Sequence, residues 1–322
     1  MKYDLTSYKR IQVMPCGGVI GAEIDGVDVS QRLDDDIFAE IRRAFTEHYV
    51  IFYRDQSLDA QGLAAFAERF APLTIVPFTQ PVPEHPMVTR LYRPATLPVS
   101  ERNIGDRWHS DQAARECPNM AFALYCVQAP PYGGDTLFAS LCEAYERLSP
   151  GMKSVCANLI GIHSLSGVFG PDGKGGGGTK KPLVHKGAEG HYKIDETLAA
   201  KLRAEVEHPL VRTHPETGRP ILYVTGDYLI RFKGMTDIES ASLIAQLNQH
   251  AARPEFTCRF RWRAGSLAIM DNRCTQHYAL NDYAGFVREM LRTEMEGERP
   301  FGPIMRRHDD RANSSILNTD HV

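Results

Sequence analysis

Trp108-His109-Ser110-Asp111 and Asp271-Asn272-Arg273-Cys274-Thr275-Gln276-His277-Tyr278 are the two stretches that decide how this chain is read. On an extended segment successive side chains alternate, so His109 and Asp111 project to the same side. His277 lies far along the chain. It joins them only in a fold that gathers distant strands around one mouth, as a β-sandwich or jelly roll does. Two imidazoles and one carboxylate then take one face of an octahedron and leave the other open, which suits non-haem Fe(II) and O2. Arg288 follows His277 by eleven residues, and a fixed cation beside such a metal is what a dicarboxylate co-substrate needs. His-x-Asp alone says little, because a hydrogen-bonded pair on a strand is common. The weight comes from both stretches occurring together with Arg288.

The surrounding pattern is mainly β with flanking helices. Val13 to Val29 is rich in glycine and β-branched residues. Asp34 to His48 is amphipathic, with Ile37, Ile41 and Phe45 on one stripe. Val50 to Tyr53 reads as a buried strand, and Ser57 as the cap of a helix running to about Phe70. From Met87 onward strands dominate. Met120 to Val127 and Ser266 to Met270 are short and apolar, and Phe256, Cys258, Phe260 and Trp262 alternate onto one face. Ser140-Leu141-Cys142-Glu143 and Thr236-Asp237-Ile238-Glu239 are capping-box signatures. Ser149-Pro150 opens a further helix. Gly170 to Pro182 carries six glycines among lysines. It reads as a surface loop or as a mobile lid, and it lacks the spacing of a phosphate-cradling loop. One domain over residues 1–303, followed by a polar tail over 304–322, is expected.

The 322 residues are 43% hydrophobic and 24% charged, which fits a packed globule. A net charge of -3 argues against a nucleic-acid or membrane-surface partner. No apolar run reaches transmembrane length and the N-terminus has no apolar signal core. Seven cysteines without a C-x-x-C spacing argue against a disulfide framework or structural zinc, so a cytoplasmic location is expected.

Trp108 to Asp111, Gly133-Gly134-Asp135-Thr136-Leu137 and Asp271 to Tyr278 resemble the taurine/2-oxoglutarate dioxygenase family, also called TauD/TfdA. The resemblance extends over roughly Val13 to Gly297 and includes Gly21-Ala22-Glu23-Ile24-Asp25-Gly26-Val27-Asp28. It implies a double-stranded β-helix (jelly roll, cupin-like), with Fe(II), 2-oxoglutarate and O2 as cofactor and co-substrates. It further implies His109, Asp111 and His277 as metal ligands and catalytic centre, and Thr136 and Arg288 as the holders of the distal carboxylate of 2-oxoglutarate. Arg292 matches the position that holds the substrate's anionic head. Arg288 and Arg292 are an even number of residues apart, so on a strand both can face the interior, where two anions would explain them. The surface alternative would leave them without such a role. With Asp111 in place of an open carboxylate position, hydroxylation is expected rather than halogenation. A homo-oligomer, dimer or tetramer, is a family-level expectation.

Several positions depart from the taurine enzyme. Gly105 stands where a polar residue would meet the substrate, and Val76 and Thr79 stand where a His and a Tyr would be expected. The substrate pocket expected from these positions, together with Tyr228, suits a carboxylate or sulfonate with an apolar or aromatic tail. This is closer in character to aryloxyalkanoate-type members. Hydroxylation at a carbon bearing O, S or N would let the product collapse with cleavage of that bond. Tyr228 is equally readable as a core tyrosine. His208 and His214 read as structural rather than as metal ligands, His163 as ordinary, and Cys274 as a buried small residue. The other enzyme class compatible with the ligands is a metal-dependent hydrolase or isomerase with Zn2+ in a His2Asp site, for which Arg288 and Thr136 would have no purpose.

Overall fold

The computed structural model describes residues 4–75, 81–97, 105–169 and 204–303. Val76, Thr79, the glycine-rich stretch 170–182 and the tail 304–322 lie outside the described residues.

In chain order the strands are β1 (Gln12–Pro15), β2 (Ala22–Asp25), β3 (Val50–Tyr53), β4 (Leu73–Thr74), β5 (Pro81–Val82), β6 (His85–Arg93), β7 (Ala121–Gln128), β8 (Thr136–Ser140) and β9 (Ile160–Ser164). They continue as β10 (Glu205–Pro209), β11 (Val211–Thr213), β12 (Pro220–Leu222), β13 (Leu229–Phe232), β14 (Thr257–Phe260), β15 (Leu267–Asp271), β16 (Thr275–Ala279) and β17 (Arg288–Met295). The helices are α1 (Asp35–His48), α2 (Ala60–Glu68), α3 (Leu141–Glu146), α4 (Pro150–Cys156), α5 (Ser166–Phe169) and α6 (Asp237–Ala251). The result is mostly sheet with flanking helices.

The largest sheet runs β1-β2-β3-β15-β7-β17-β6-β5, with β4 also paired to β17. A second runs β14-β8-β16 and a third β10-β9-β13. The central strands of the large sheet are covered on both faces, which is why they read as unbroken apolar runs rather than as alternation with polar residues. Ile51, Tyr53, Ala121, Ala123, Tyr125, Leu267 and Ile269 pack with Ile41, Phe45, Leu63 and Phe66 of α1 and α2. Their neighbours Val50, Phe52, Phe122, Leu124, Cys126, Ala268 and Met270 face the other way, onto Phe138, Phe256, Phe260 and Trp262 around the second sheet. Phe52 stacks on Phe260 at 4.0 Å across this inter-sheet core. Each such ring taken out of water contributes about 2–3 kcal/mol.

α1 and α6 occupy the spans their periodicity predicts, and Thr236 and Glu239 complete a reciprocal capping box. α2 starts later than expected. Asp59 rather than Ser57 is its cap, accepting the Gly62 N–H at 2.7 Å. That choice puts Leu58 just before the cap and Leu63 just inside the helix. Both enter the same core cluster, an arrangement that fixes the entry angle of the chain. Ser140 caps α3 through the Glu143 N–H, while the Glu143 carboxylate meets Arg219 at 3.1 Å.

Candidate active site

The site is assembled on three pieces of backbone. β16 supplies His277. The segment Trp108–Asp111 lies antiparallel beside it: His109 N–H donates to His277 O at 3.1 Å and His277 N–H to His109 O at 2.9 Å. β17 supplies the arginines from the facing sheet. Its inner face carries Arg288, Met290, Arg292 and Glu294, and Met290 packs into the inter-sheet core. The even spacing read from the sequence therefore does turn both arginines inward.

His109, Asp111 and His277 meet with one donor atom each, all within 4.8 Å of one another. Asp111 Oδ1 is 3.5 Å from His109 Nε2, and its Oδ2 is 3.9 Å from His277 Nε2. His109 Nδ1 lies 2.7 Å from the Arg107 carbonyl, which takes the Nδ1 proton and leaves the Nε2 lone pair aimed at the cluster. Burial works against the Asp111 carboxylate, but Arg292, His277 and His109 outweigh it and hold its pKa well below the usual range. Burial and the neighbouring His109 push His277 far below the ordinary imidazole value, so its ring is neutral. Two imidazole nitrogens and one ionised carboxylate on a common centre form a donor set that fits divalent iron.

Gly105 belongs to the same corner. It has φ +83°, and a side chain there would begin 3.1 Å from His109 Cε1. Gly226 is pressed harder: a Cβ would fall 2.0 Å from the Trp108 carbonyl oxygen. Thr225-Gly226-Asp227-Tyr228 can therefore lie against the His109 backbone only with glycine at this place. Tyr228 is buried with Tyr223 and Ala113. Burial, reinforced by the Asp111 charge, raises its pKa.

Thr136 and Arg288 are brought to a common neighbour, Trp262. The indole N–H of Trp262 donates to Thr136 Oγ1 at 2.9 Å, so the threonine's own hydroxyl proton is free to point elsewhere. The Arg288 guanidinium stands 5.9 Å from the Trp262 ring centre. Its Nε is buried without a hydrogen-bond partner among the described residues. Burial lowers its pKa, with Tyr283, Cys126 and Asp135 opposing. A guanidinium whose Nε is buried and unpartnered and a threonine hydroxyl with a free proton, both set against Trp262, fit a carboxylate. The turn before Thr136 is held by Asp282, whose Oδ1 takes the Gly134 N–H at 2.7 Å.

Arg292 is not an open anion site of the kind expected. Its Nη2 lies 2.5 Å from Asp111 Oδ2 and 2.5 Å from Glu294 Oε1. Its Nε remains buried and unpartnered among the described residues. The guanidinium carbon sits 4.7 Å over the Phe122 ring, which also flanks His277 at 5.1 Å. Glu294 is fully buried, and burial pushes its pKa up to about 7 despite Arg292.

His214, His208 and His163 are held by contacts away from this cluster. His214 Nδ1 accepts the Glu216 and Thr217 N–H groups, so Nε2 carries the proton and gives it to Asp271 at 3.0 Å. Asp271 is in addition gripped by the Arg273 guanidinium at 2.9 and 2.6 Å. His214, Asp271 and the buried Cys274 lie close enough to hold a metal, but the first two are already committed to each other and to Arg273. His208 sits on β10 against His163, with ring centres 5.0 Å apart. The sequence carried no sign of that pairing. Asn272, Trp262, Glu294 and Phe122 are site neighbours that sequence reading missed. Asn272, Trp262 and Phe122 stood inside a quoted motif or pattern, and Glu294 did not.

Residues 12–293 match the model of the family described as taurine catabolism dioxygenase TauD, TfdA family. The chain is 35% identical over 297 residues to the alpha-ketoglutarate-dependent sulfate ester dioxygenase of Pseudomonas putida, covering 91% of this chain and 92% of that protein. It is 33% identical to the alkylsulfatase of Acinetobacter baylyi, with 90% and 86% covered. A solved taurine dioxygenase from Burkholderia xenovorans superposes with TM-score 0.74 at 36% identity, covering 92% of each chain. The chain belongs to the TauD/TfdA family.

Proposed function

We propose that this protein is an Fe(II)- and 2-oxoglutarate-dependent dioxygenase acting on a small organic anion, with sulfate esters of apolar alcohols as the first class to test. The observation that carries the reading is the pairing of the His109, Asp111 and His277 donors with the buried, partnerless Nε of Arg288 on the facing sheet. The two facing sheets with the site between them support the double-stranded β-helix that the family implies. The relatives named for sulfate esters and alkyl sulfates support the substrate class. The seven free thiols support a reducing cytoplasm.

In this reading His109, Asp111 and His277 hold the iron. Arg288 and Thr136 hold the distal carboxylate of 2-oxoglutarate, with Trp262 fixing the Thr136 hydroxyl. With 2-oxoglutarate and O2, iron supplies the oxidation: the keto acid becomes succinate and CO2, and one oxygen atom enters a substrate C–H bond. Arg292 turns its remaining donors to the substrate's anionic head, and Phe122 offers an apolar wall beside it. Hydroxylation of the carbon next to a sulfate ester oxygen gives a hemiacetal-like product, which collapses to an aldehyde and sulfate.

The test is incubation of iron-loaded protein with 2-oxoglutarate and a panel of alkyl sulfates, aryloxyalkanoates and sulfonates, with product analysis. Aldehyde and sulfate appearing together with succinate support the reading. Alcohol and sulfate without succinate would establish a hydrolase instead. Arg288→Ala should weaken 2-oxoglutarate binding at least about 100-fold, the loss expected for a buried charge-assisted pair; a hydrolase would be indifferent to it.

A further inference from the structure

We propose that Asn272 is the positioning residue for Asp111, and through it for metal binding, an inference that rests on His109, Asp111 and His277 being the ligands. Asp111 lies in a turn, not on a strand, and Gln112 immediately after it adopts φ 56°, a left-handed conformation that glutamine adopts only when its surroundings impose it. Something must hold such a turn still.

The Asn272 side chain holds it from both sides. Asn272 Oδ1 accepts the Asp111 backbone N–H at 2.7 Å, and Asn272 Nδ2 donates to the Asp111 carbonyl at 2.9 Å. One planar amide thus fixes both polar backbone groups of the residue that carries the carboxylate. The amide cannot flip, because a backbone N–H must face its oxygen. It is itself anchored by Asn119, whose carbonyl and Oδ1 each take Nδ2 at 3.0 Å. Asn272 is 1% exposed, so no water can substitute for these bonds without a cavity opening.

The same stretch holds the other two ligands. Ser110 Oγ donates to Thr275 O at 2.7 Å, and His109 pairs with His277 through two backbone hydrogen bonds. Residues 272, 275 and 277 therefore grip residues 111, 110 and 109 in turn. The turn between β15 and β16 is the template on which the Trp108–Asp111 segment takes its shape. Asn272 is the grip in this series whose side chain fixes the Asp111 backbone itself, so a substitution there releases the carboxylate-bearing residue directly.

The experiment uses the full chain and Mn(II) alone as probe, with free and bound metal counted by electron paramagnetic resonance and folding followed by thermal melting. Wild type should bind one Mn(II) that Asp111→Ala abolishes. If it does not, the ligand reading itself fails. Asn272→Ala should bind Mn(II) at least about tenfold more weakly, the loss usual for groups that orient a ligand, and its bound-metal spectrum should broaden. Asn119→Ala, which touches the Asn272 amide but not Asp111, should lower the melting temperature yet keep Mn(II) affinity within about threefold of wild type. Should Asn272→Ala fail to fold, Asn272→Asp serves: it keeps the acceptor for the Asp111 N–H, loses the donor to its carbonyl, and should show the same weakening. Folded Asn272→Ala or Asn272→Asp that binds Mn(II) as tightly as wild type would overturn the proposal.

Discussion

Arg292 Nη2 lies 2.5 Å from Asp111 Oδ2, so the arginine expected to hold a substrate anion is also the counter-ion of the carboxylate expected to hold the metal. Glu294 takes the same nitrogen from the other side at 2.5 Å. Removing the guanidinium would strand two buried carboxylates. Losing one partner of a buried charged pair costs about 3–5 kcal/mol. Arg292→Met should therefore lower the melting temperature as well as raise KM for the organic anion by at least about 30-fold. Calorimetry and steady-state kinetics check both. A rise in KM without any loss of stability would show that the ion pairs carry no weight in the fold.

Trp262→Phe keeps the ring between Arg288 and the inter-sheet core but removes the donor to Thr136 Oγ1. A neutral hydrogen bond is worth about 0.5–1.5 kcal/mol. KM for 2-oxoglutarate should rise roughly 3- to 10-fold with kcat unchanged. Kinetics with 2-oxoglutarate varied at saturating substrate check this.

Asp271 collects four hydrogen bonds from Arg273 and His214 inside the core and is 0% exposed. Asp271→Ala leaves the Arg273 charge relying on Glu216, which meets it at 2.6 Å. The expected loss is about 3–5 kcal/mol of stability, read by urea denaturation. Because the network lies outside the ligand set, any molecules that fold should still bind metal.

His163 and His208 make stability depend on acid. Burial lowers the His163 pKa to about 3, with His208 adding to the effect, and lowers that of His208 to about 4. Both stay neutral in the fold, whereas the unfolded chain protonates them below about pH 6.5. Unfolding therefore takes up protons, and stability falls as pH drops from about 6.5 towards those values. Each histidine contributes a slope approaching 1.4 kcal/mol per pH unit (about 2.303RT). His163→Phe should flatten the stability-versus-pH curve by roughly that amount near pH 5. Denaturant melts at a series of pH values measure it.

The meeting of His109, Asp111 and His277 was legible in the close His-x-Asp spacing and the distant histidine, although Asp111 reaches the cluster from a turn rather than from the strand the spacing suggested. α1 and α6 were legible for the same kind of reason, through periodicity and caps. Arg288 and Arg292 could be assigned a face from their even spacing. What could not be read are contacts between side chains with no periodic signature. The Asn272 clamp on Asp111, the sharing of Arg292 between Asp111 and Glu294, and the His163–His208 pair all join distant residues whose meeting depends on sheet register. Asp59 displaced Ser57 as a cap because it brings Leu58 and Leu63 into one core cluster, a tertiary choice that local sequence does not express.

The most direct measurement is the yield of succinate per O2 consumed by Fe(II)-loaded protein given 2-oxoglutarate and an alkyl sulfate, in wild type and Asp111→Ala. The account predicts one succinate per O2 in wild type, with release of sulfate and aldehyde, and neither oxygen uptake nor succinate in the variant. Sulfate released with no oxygen consumed and no succinate formed, by protein with iron confirmed bound, would contradict it.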